Sequence, residues 1–226
     1  MKIRFMLVVS LVIFLLLLIF SCENNPIDSK DETLKDIDGN VYQIITIGDQ
    51  CWMAENLKVV HYRNGDAIPE VTDNTEWRNL TTGAYCEYDN NSANVETYGR
   101  LYNWYAVNDS RNIAPEGWHV PTDDEWQILV DNCGGSSVAG GKLKATSGWY
   151  DDGNGTDDYG FAALPGGYRY CYYGFFYDMG SYAYFWSSTE YDSNYAWNRE
   201  LYYFNAFVYR LNVNKRHGFS ARLVRD

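Results

Sequence analysis

The sequence predicts an α+β domain in which two helices pack on a twisted, mainly antiparallel β-sheet. Residues 123–132 follow a helix-start signal and carry apolar side chains at helical spacing. Residues 168–211 are dense in aromatic side chains and are interrupted by turn residues, a pattern typical of β-hairpins. Aromatic residues make up 17% of the chain, so strands of this kind can bury a large core.

Residues 1–21 have the pattern of a bacterial export signal. Basic residues precede an apolar run at positions 6–20, which is shorter than the roughly 20 residues that a membrane-spanning helix needs. The run ends at Ser21-Cys22, which resembles a lipoprotein cleavage site, so we expect Cys22 to be acylated and to anchor the protein in a membrane. A plain cleaved signal and an uncleaved anchor are the alternatives. Residues 22–32 then form the acylated cysteine and a flexible acidic tether.

Residues 33–226 are long enough to form one domain with its own core. The formal net charge of the chain is −12, which argues against a nucleic-acid partner because phosphates would be repelled. It also argues against attachment to anionic lipid through a basic patch. Solubility is a sufficient reason for this acidity, and the sequence does not indicate an oligomeric state.

The domain contains four cysteines, Cys51, Cys86, Cys133 and Cys171. An even number in an exported chain permits two disulfides, for which three connectivities are possible. None of the four has CxxC spacing, so a zinc site or a thioredoxin-type pair is not indicated. Cys133 also fits as a small buried hydrophobic residue, and the spacing leaves the pairing open.

The first hairpin is predicted at residues 41–54, where a β-rich run turns at residues 48–49. Trp52 and Leu57 are expected to anchor it to the core. The polar pair Glu55-Asn56 fits a structural turn, with a binding pair as the alternative.

Two helices are predicted, at Tyr98–Val107 and Asp123–Asn132. In the first, aromatic side chains recur at helical spacing, which we interpret as core packing. Before the second, Thr122 and Glu125 have the spacing of a capping box. The apolar stripe of this second helix consists of Trp126, Leu129, Val130 and Cys133.

An acidic, glycine-rich loop at residues 151–160 is the candidate metal site. Its oxygen-bearing side chains are the type that Ca²⁺ prefers. The candidate ligands are Asp151, Asp152, Asn154, Asp157 and Asp158. The spacing does not match an EF-hand, and a solvated turn cluster is the alternative.

The segment from residue 168 to residue 186 is the strongest indication of a binding surface, because eleven of its nineteen residues are aromatic. Side chains alternate between the two faces of a strand, so a run this dense is expected to expose rings on one face. Exposed tyrosine and tryptophan rings stack on sugars or on partner proteins. The candidate ligand-binding residues are Tyr172, Tyr173, Phe176, Tyr177 and Trp197. The alternative is that loops cover both faces.

An aromatic hairpin follows at residues 197–211, with Asn205 at or near its turn. The chain then ends in a predicted strand at residues 218–226. Alternation along this strand directs Phe219, Ala221 and Leu223 inward and Ser220 and Arg222 outward.

Five segments together resemble the Fibrobacter succinogenes major paralogous domain, found in surface lipoproteins of Bacteroidetes-like bacteria. They are Trp52-Met53-Ala54-Glu55-Asn56-Leu57-Lys58, Tyr98-Gly99-Arg100-Leu101-Tyr102-Asn103-Trp104, Trp118-His119-Val120-Pro121-Thr122-Asp123-Asp124-Glu125-Trp126, Leu164-Pro165-Gly166-Gly167-Tyr168-Arg169 and Gly218-Phe219-Ser220-Ala221-Arg222-Leu223-Val224-Arg225-Asp226. The resemblance implies a C-type-lectin-like fold over residues 33–226, of the type seen in formylglycine-generating enzymes, with the last strand beside the first. It also implies an outer-membrane lipoprotein exposed on the cell surface. It implies no activity, because most members have none assigned.

The sequence departs from this family pattern in one respect. Many members have cysteines where this chain has Ala114 and Leu223, which suggests that one disulfide was lost and leaves the remaining pairing open. No cysteine follows Cys171, which argues against the oxidase activity of formylglycine-generating enzymes, and the calcium and sugar signature of C-type lectins is absent.

No catalytic motif is found in the sequence. The three histidines have no metal-binding spacing, and His119 is expected to be a packed, hydrogen-bonded side chain. We therefore expect a non-catalytic, lipid-anchored surface module that binds a polysaccharide, another glycan or a partner protein. The alternatives are a structural or assembly component of the outer envelope and, third, an enzyme of unknown type.

Overall fold

The computed structural model describes residues 33–226. The predicted export signal, the acylation site Cys22 and the tether lie outside the described residues. Within residues 33–226, no helix combines the length and the apolar character needed to cross a membrane.

Residues 33–226 contain twelve strands, five α-helices and three short 3₁₀ helices, the last at Tyr88–Asn90, Ser92–Asn94 and Tyr150–Asp152. The strands are β1 (Thr33–Lys35), β2 (Val41–Ile47), β3 (Gln50–Met53), β4 (Tyr85–Cys86), β5 (Leu101–Tyr102), β6 (Trp118–His119), β7 (Gly166–Arg169), β8 (Phe176–Met179), β9 (Tyr182–Glu190), β10 (Tyr195–Tyr202), β11 (Val208–Asn214) and β12 (Val224–Arg225). The helices are α1 (Asn74–Arg78), α2 (Val95–Tyr98), α3 (Trp104–Val107), α4 (Asp123–Asn132) and α5 (Ala139–Leu143). The fold is therefore mixed, with mostly antiparallel strands and few helices.

Two sheets form the framework. The first has the strand order β1-β2-β3-β12-β6, and its neighbouring strands are all antiparallel. The second has the order β11-β10-β9 and is also antiparallel. The predicted hairpin of β2 and β3 is confirmed. The last strand shares a sheet with the first strand, as the resemblance implied, but it pairs with β3 and β6 and not with β1.

Helix α4 is confirmed with its capping box. The Thr122 hydroxyl accepts the Glu125 amide, and Glu125 Oε2 accepts the Thr122 amide at 2.7 Å. Asp123, in the first turn, forms ion pairs with Arg199 at 2.6 Å and with Arg210 at 2.7 Å. The start of the helix is thus fixed to the β9–β10–β11 sheet. Its apolar stripe is buried, as expected.

The predicted helix at Tyr98–Val107 is wrong as a continuous element. Helix α2 ends at Gly99, whose φ is +71°, and a Cβ there would lie 2.7 Å from the side chain of Asn56. The chain then pairs with β4 as strand β5 before α3 begins. The helical spacing of the aromatics was therefore misleading about secondary structure, although Tyr102 and Trp104 are buried as predicted.

The predicted outward orientation of Ser220 and Arg222 is also wrong, because both side chains are buried. Arg222 donates from Nε to Asn56 Oδ1 at 3.0 Å and from its terminal nitrogens to the carbonyls of Phe161 and Ala162. Its guanidinium lies 4.1 Å from the centre of the Phe161 ring. Within residues 33–226 no ion pair includes Arg222. Burial lowers its pKa to about 9.

Asn56 links this arginine to other parts of the core. Its Nδ2 donates to the Tyr98 carbonyl at 2.8 Å and to Ser220 Oγ at 3.1 Å. Every polar atom of the Asn56 side chain is thus used inside the protein, which supports the structural interpretation of Glu55-Asn56.

Neither of the two disulfides that the four domain cysteines permit among themselves is formed, because Cys86, Cys133 and Cys171 are buried free thiols. Cys133 packs in a core cluster as a small hydrophobic residue. Ala114 and Leu223, at the places where family members have cysteines, both belong to another core cluster.

We predict that Arg222→Met destabilises the domain by about 3 kcal/mol, because it leaves three buried acceptors without a donor. Urea denaturation measures the free energy of unfolding. The control is Arg78→Ala on the exposed surface, which is expected to change stability by less than about 0.5 kcal/mol. Equal losses for the two variants would contradict this role of Arg222.

A candidate binding site along a track of aromatic rings

Tyrosine rings form a continuous series of contacts from the β7–β8 hairpin across the β9–β10–β11 sheet. This series, which we call the tyrosine track, consists of Tyr170, Tyr168, Tyr184, Tyr182, Tyr202 and Tyr209. Successive ring centroids are separated by 6.3, 4.7, 6.2, 4.5 and 4.4 Å in that order. Tyr184 is buried and the other five rings are half-buried, so the track is an elongated row of partly exposed rings.

Strand register places the sheet residues of the track on one face. Tyr182 is opposite Tyr202, and Glu200 is opposite both Tyr184 and Tyr209. Since residues two apart in a strand share a face, these tyrosines and Glu200 line the same side of the sheet.

Exposed rings extend the tyrosine track at both ends. At one end, Tyr173 and Tyr177 contact Tyr170 at 5.8 and 6.1 Å. At the other end, Phe204 contacts Tyr202 at 5.6 Å and Phe207 contacts Tyr209 at 5.8 Å. The exposed fractions are 60% for Tyr173, 41% for Tyr177, 58% for Phe204 and 44% for Phe207, so both ends of the track present aromatic rings to the solvent.

Three of the five predicted ligand-binding residues lie at the end of the tyrosine track that the β7–β8 hairpin forms. Tyr172, Tyr173 and Tyr177 are exposed and contact Tyr170. Phe176 was expected to be exposed, but it is half-buried between Tyr88, 5.3 Å away, and the guanidinium of Arg169. The Phe176 ring therefore packs against the core and is not presented to a ligand.

Trp197 is not brought together with the other four residues. Its neighbour Asn198 faces the track side of β10, so Trp197 projects from the opposite face. There its ring stacks under the guanidinium of Arg210 at 3.5 Å and contacts Tyr191 at 5.0 Å. A role in the same binding surface is therefore not supported for Trp197.

Sequence reasoning missed the central part of the tyrosine track. Tyr182, Tyr202 and Tyr209 lie on three different strands, and only the register brings them together. The sequence does contain one indication of a shared tyrosine face, which is the recurrence of tyrosine at alternate positions, at 168 and 170 and again at 182 and 184.

Buried Arg169 holds the loop between β7 and β8. Its Nε donates to the Gly174 carbonyl at 2.8 Å, while its terminal nitrogens donate to the carbonyls of Val71 and Thr72. The guanidinium also lies 4.5 Å from the Trp77 ring centre. These contacts fix the loop that presents Tyr172 and Tyr173.

Buried Lys144 holds the opposite end of the track. Its Nζ donates to the carbonyls of Gly153 at 2.6 Å, Asn205 at 3.0 Å and Tyr202 at 3.2 Å, and burial lowers its pKa. A Cβ at Gly153 would lie 2.2 Å from the Tyr203 carbonyl, so the acidic loop packs directly on the turn after β10. This packing positions the turn that carries the exposed phenylalanines.

The acidic loop does not gather its candidate calcium ligands. Asn154 Oδ1 accepts the Trp149 amide at 3.1 Å, and Asp157 Oδ1 accepts the Ala162 amide at 2.7 Å. Across residues 33–226, no three Asp, Glu, His or Cys side chains group closely enough to hold a metal ion. A calcium site formed by Asp151, Asp152, Asn154, Asp157 and Asp158 remains a prediction from composition.

Two carboxylates lie among the tyrosines of the track. Tyr184 donates its hydroxyl hydrogen to Asp178 Oδ2 at 2.8 Å, and Tyr202 donates to Glu200 Oε2 at 2.6 Å. The second oxygen of Glu200 accepts Asn198 Nδ2 at 2.8 Å. Burial raises the pKa of Glu200, and burial together with the adjacent carboxylate raises the pKa of both tyrosines, whose hydroxyls therefore stay protonated.

A buried cysteine and histidine lie beneath the track. Cys171 Sγ is 3.6 Å from His217 Nε2, and the His217 ring packs against Tyr168 and Tyr170. Burial raises the pKa of the Cys171 thiol to about 11 and lowers that of His217 to about 4. Both groups are thus neutral near pH 7, whereas nucleophilic catalysis needs a thiolate.

His119 is hydrogen-bonded, as predicted from the sequence. Its Nε2 is 2.8 Å from Glu125 Oε1 and its Nδ1 is 2.6 Å from Asp226 Oδ1. The hydrogen bond to Glu125 is the main reason that its pKa is raised.

We predict that His217 makes the domain acid-sensitive. Its folded pKa of about 4 is below the ordinary value of 6.5, so the unfolded state binds more protons between these pH values and stability falls as the pH decreases through this window. The loss between pH 7 and pH 4 should be about 3 kcal/mol and should disappear in His217→Gln. Urea denaturation at several pH values measures it.

His119→Gln provides the contrast, because a raised histidine pKa stabilises the folded state at low pH. This stabilisation is complete below the ordinary value of 6.5 and is lost as the pH rises through the folded pKa. The variant should therefore lose stability mainly at acidic pH and should keep the acid sensitivity due to His217. An unchanged acid profile in His217→Gln would contradict the prediction.

Comparison with known proteins gives a family. The comparison with curated proteins finds no match, and the comparison with solved structures finds none either. Residues 45–225 match the family described as Fibrobacter succinogenes major domain, and this match spans most of the chain. The match includes every strand of the tyrosine track. The chain therefore belongs to the Fibrobacter succinogenes major domain family.

Proposed function

We propose that the domain is a non-catalytic module that binds a glycan chain along the tyrosine track. The observation that carries this proposal is the continuous row of rings on one face, extended at both ends by exposed aromatic side chains. The C–H faces of sugar rings pack on aromatic faces. Tyrosine provides large contact areas with little loss of side-chain entropy on binding.

The shape of the surface favours a polymer over a small molecule. The track is a series of rings that spans several strands and is not enclosed. Two surface cavities, of about 230 and about 340 Å³, are lined by other residues, among them Arg63 and Pro115 in the first and Tyr105 and Asn108 in the second. An extended chain can contact successive rings, whereas a single sugar would cover one or two.

The setting of Glu200 supports binding rather than hydrolysis. Hydrolysis of a glycosidic bond requires a carboxylic acid that can protonate the leaving oxygen. Glu200 is buried, and both of its oxygens already accept hydrogen bonds, from Asn198 and Tyr202. Glu200 is therefore a positioning residue in this proposal.

The wider setting forms part of the same proposal. The leader pattern at residues 1–21 and the Ser21-Cys22 junction support a lipid-anchored protein of the outer membrane that faces the cell exterior. The shared sheet of the first and last strands supports a C-type-lectin-like fold. A partner protein at the track, as in an envelope assembly, is the competing outcome because exposed tyrosines also serve protein interfaces.

We predict that the triple variant Tyr173→Ala/Tyr177→Ala/Phe204→Ala weakens glycan binding at least about tenfold, because each truncated ring removes contact area from the track. Binding is measured by sedimentation with insoluble polysaccharides and on a glycan array, using the chain without residues 1–21, with Ca²⁺ and with EDTA. The control is Tyr191→Ala, which removes a ring that is 52% exposed and contacts Trp197, on the opposite side of the sheet. Circular dichroism verifies that both variants are folded.

The outcomes separate the alternatives. Loss of binding in EDTA would support the calcium prediction, and binding that survives EDTA would leave ring stacking as its basis. Equal binding by the triple variant and the wild type would show that the track is not the site. No binding by folded wild-type protein would favour a protein partner.

A further inference from the structure

We propose that the centre of the tyrosine track selects glycans without negative charge, namely neutral sugars and amino sugars, and rejects uronates and sulfated sugars. This inference rests on the proposed function and adds the class of ligand. It follows from the hydrogen-bonding capacity of the groups at the centre of the track and from the charges around it.

Two hydroxyls at the centre of the track, those of Tyr184 and Tyr202, are set as acceptors. Tyr184 gives its hydrogen to Asp178, and Tyr202 gives its hydrogen to Glu200. A phenol that has donated its one hydrogen can only accept from a ligand. Asp178 Oδ1 accepts no hydrogen bond from residues 33–226, so it adds another acceptor. A sugar hydroxyl or ammonium group supplies the matching donors, whereas a carboxylate or sulfate does not.

An unsatisfied acceptor lies behind these groups. Asn198 is fully buried, its Nδ2 donates to Glu200, and its Oδ1 has no hydrogen-bond partner. A buried amide oxygen without a donor costs free energy. Its position beside Glu200 adds to the excess of acceptors on this face.

The cationic side chains near the track already interact with other groups of the protein. Lys144 and Arg169 face backbone carbonyls, and Arg199 and Arg210 pair with Asp123 on the opposite face. Arg216 lies 6.0 Å from the Tyr172 ring at one end of the track, and it donates to Asn214 and to the Arg78 carbonyl.

The groups that could donate to a ligand are neutral, so they do not add positive charge to the track. His217 is buried beneath the track and neutral. Tyr209 accepts from Asn205 and keeps its hydrogen. The hydroxyls of Tyr168, Tyr170 and Tyr182 also donate to no group within residues 33–226, so each of them is a neutral donor. The charged groups that face the centre of the track are thus Asp178 and Glu200, in a chain whose net charge is −12.

The test is a binding panel with the wild-type chain in low salt. The probes are soluble polymers of three kinds: hydroxyethylcellulose and xyloglucan as neutral polymers, chitosan as an amino polymer, and polygalacturonate and alginate as acidic polymers. Affinity electrophoresis and calorimetry measure the dissociation constants. The best neutral or amino polymer should bind at least about tenfold more tightly than any acidic polymer.

The variant Asp178→Asn/Glu200→Gln should reduce that preference, measured as the ratio of the two dissociation constants, to less than about threefold. The control Asp124→Asn/Asp131→Asn removes the same charge from the exposed surface of α4, and it should keep the full preference. If the double variant is unfolded by circular dichroism, Asp178→Asn alone and a salt series on the wild type replace it, because salt weakens charge-based exclusion.

The possible results separate charge selectivity from glycan binding itself. Acidic polymers that bind the wild type as tightly as neutral ones overturn the charge selectivity but leave glycan binding in place. An unchanged preference in the folded double variant also overturns it. Failure of every polymer to bind overturns the proposed function itself.

Discussion

The fold depends on buried cations that are held by carbonyl and amide oxygens instead of carboxylates. Arg222, Arg169 and Lys144 each donate several hydrogen bonds to acceptors from segments far apart in the sequence. A buried charge is costly, so such a group must be surrounded by acceptors at the correct distances. Those acceptors are in turn fixed in place by the cation. Local sequence would not otherwise order the loops that these residues connect.

This constraint explains how an aromatic surface can be presented by loops. Arg169 fixes the loop at one end of the tyrosine track, and Lys144 fixes the turn at the other end. The sheet between them provides the register that aligns the central tyrosines. A surface arranged in this way loses little conformational entropy on binding, which favours recognition of a weakly interacting ligand such as a glycan.

Part of this structure could be predicted from sequence. Local signals were sufficient for the β2–β3 hairpin and for α4, because a turn and a capping box act over a few residues. The helix predicted at Tyr98–Val107 failed because Gly99 takes a positive φ and β5 pairs with a distant strand. The outward orientation of Arg222 failed for a similar reason, since its partners are far away in the sequence.

The candidate site was predicted only at its edge. Tyr172, Tyr173 and Tyr177 come from one dense run of aromatics, which composition alone reveals. The centre of the track is formed by three strands, and the pairing of Asp178 and Glu200 with tyrosine hydroxyls requires the tertiary structure.

Chemical-shift mapping during titration with an oligosaccharide shows whether the tyrosine track is the binding surface. Tyrosine ring signals in the selectively labelled protein can be followed during titration. If the track binds the ligand, the signals of Tyr173, Tyr182 and Tyr202 shift together while that of Tyr191 stays unchanged. Shifts confined to Tyr191, or to Tyr105 beside the larger cavity, would contradict it.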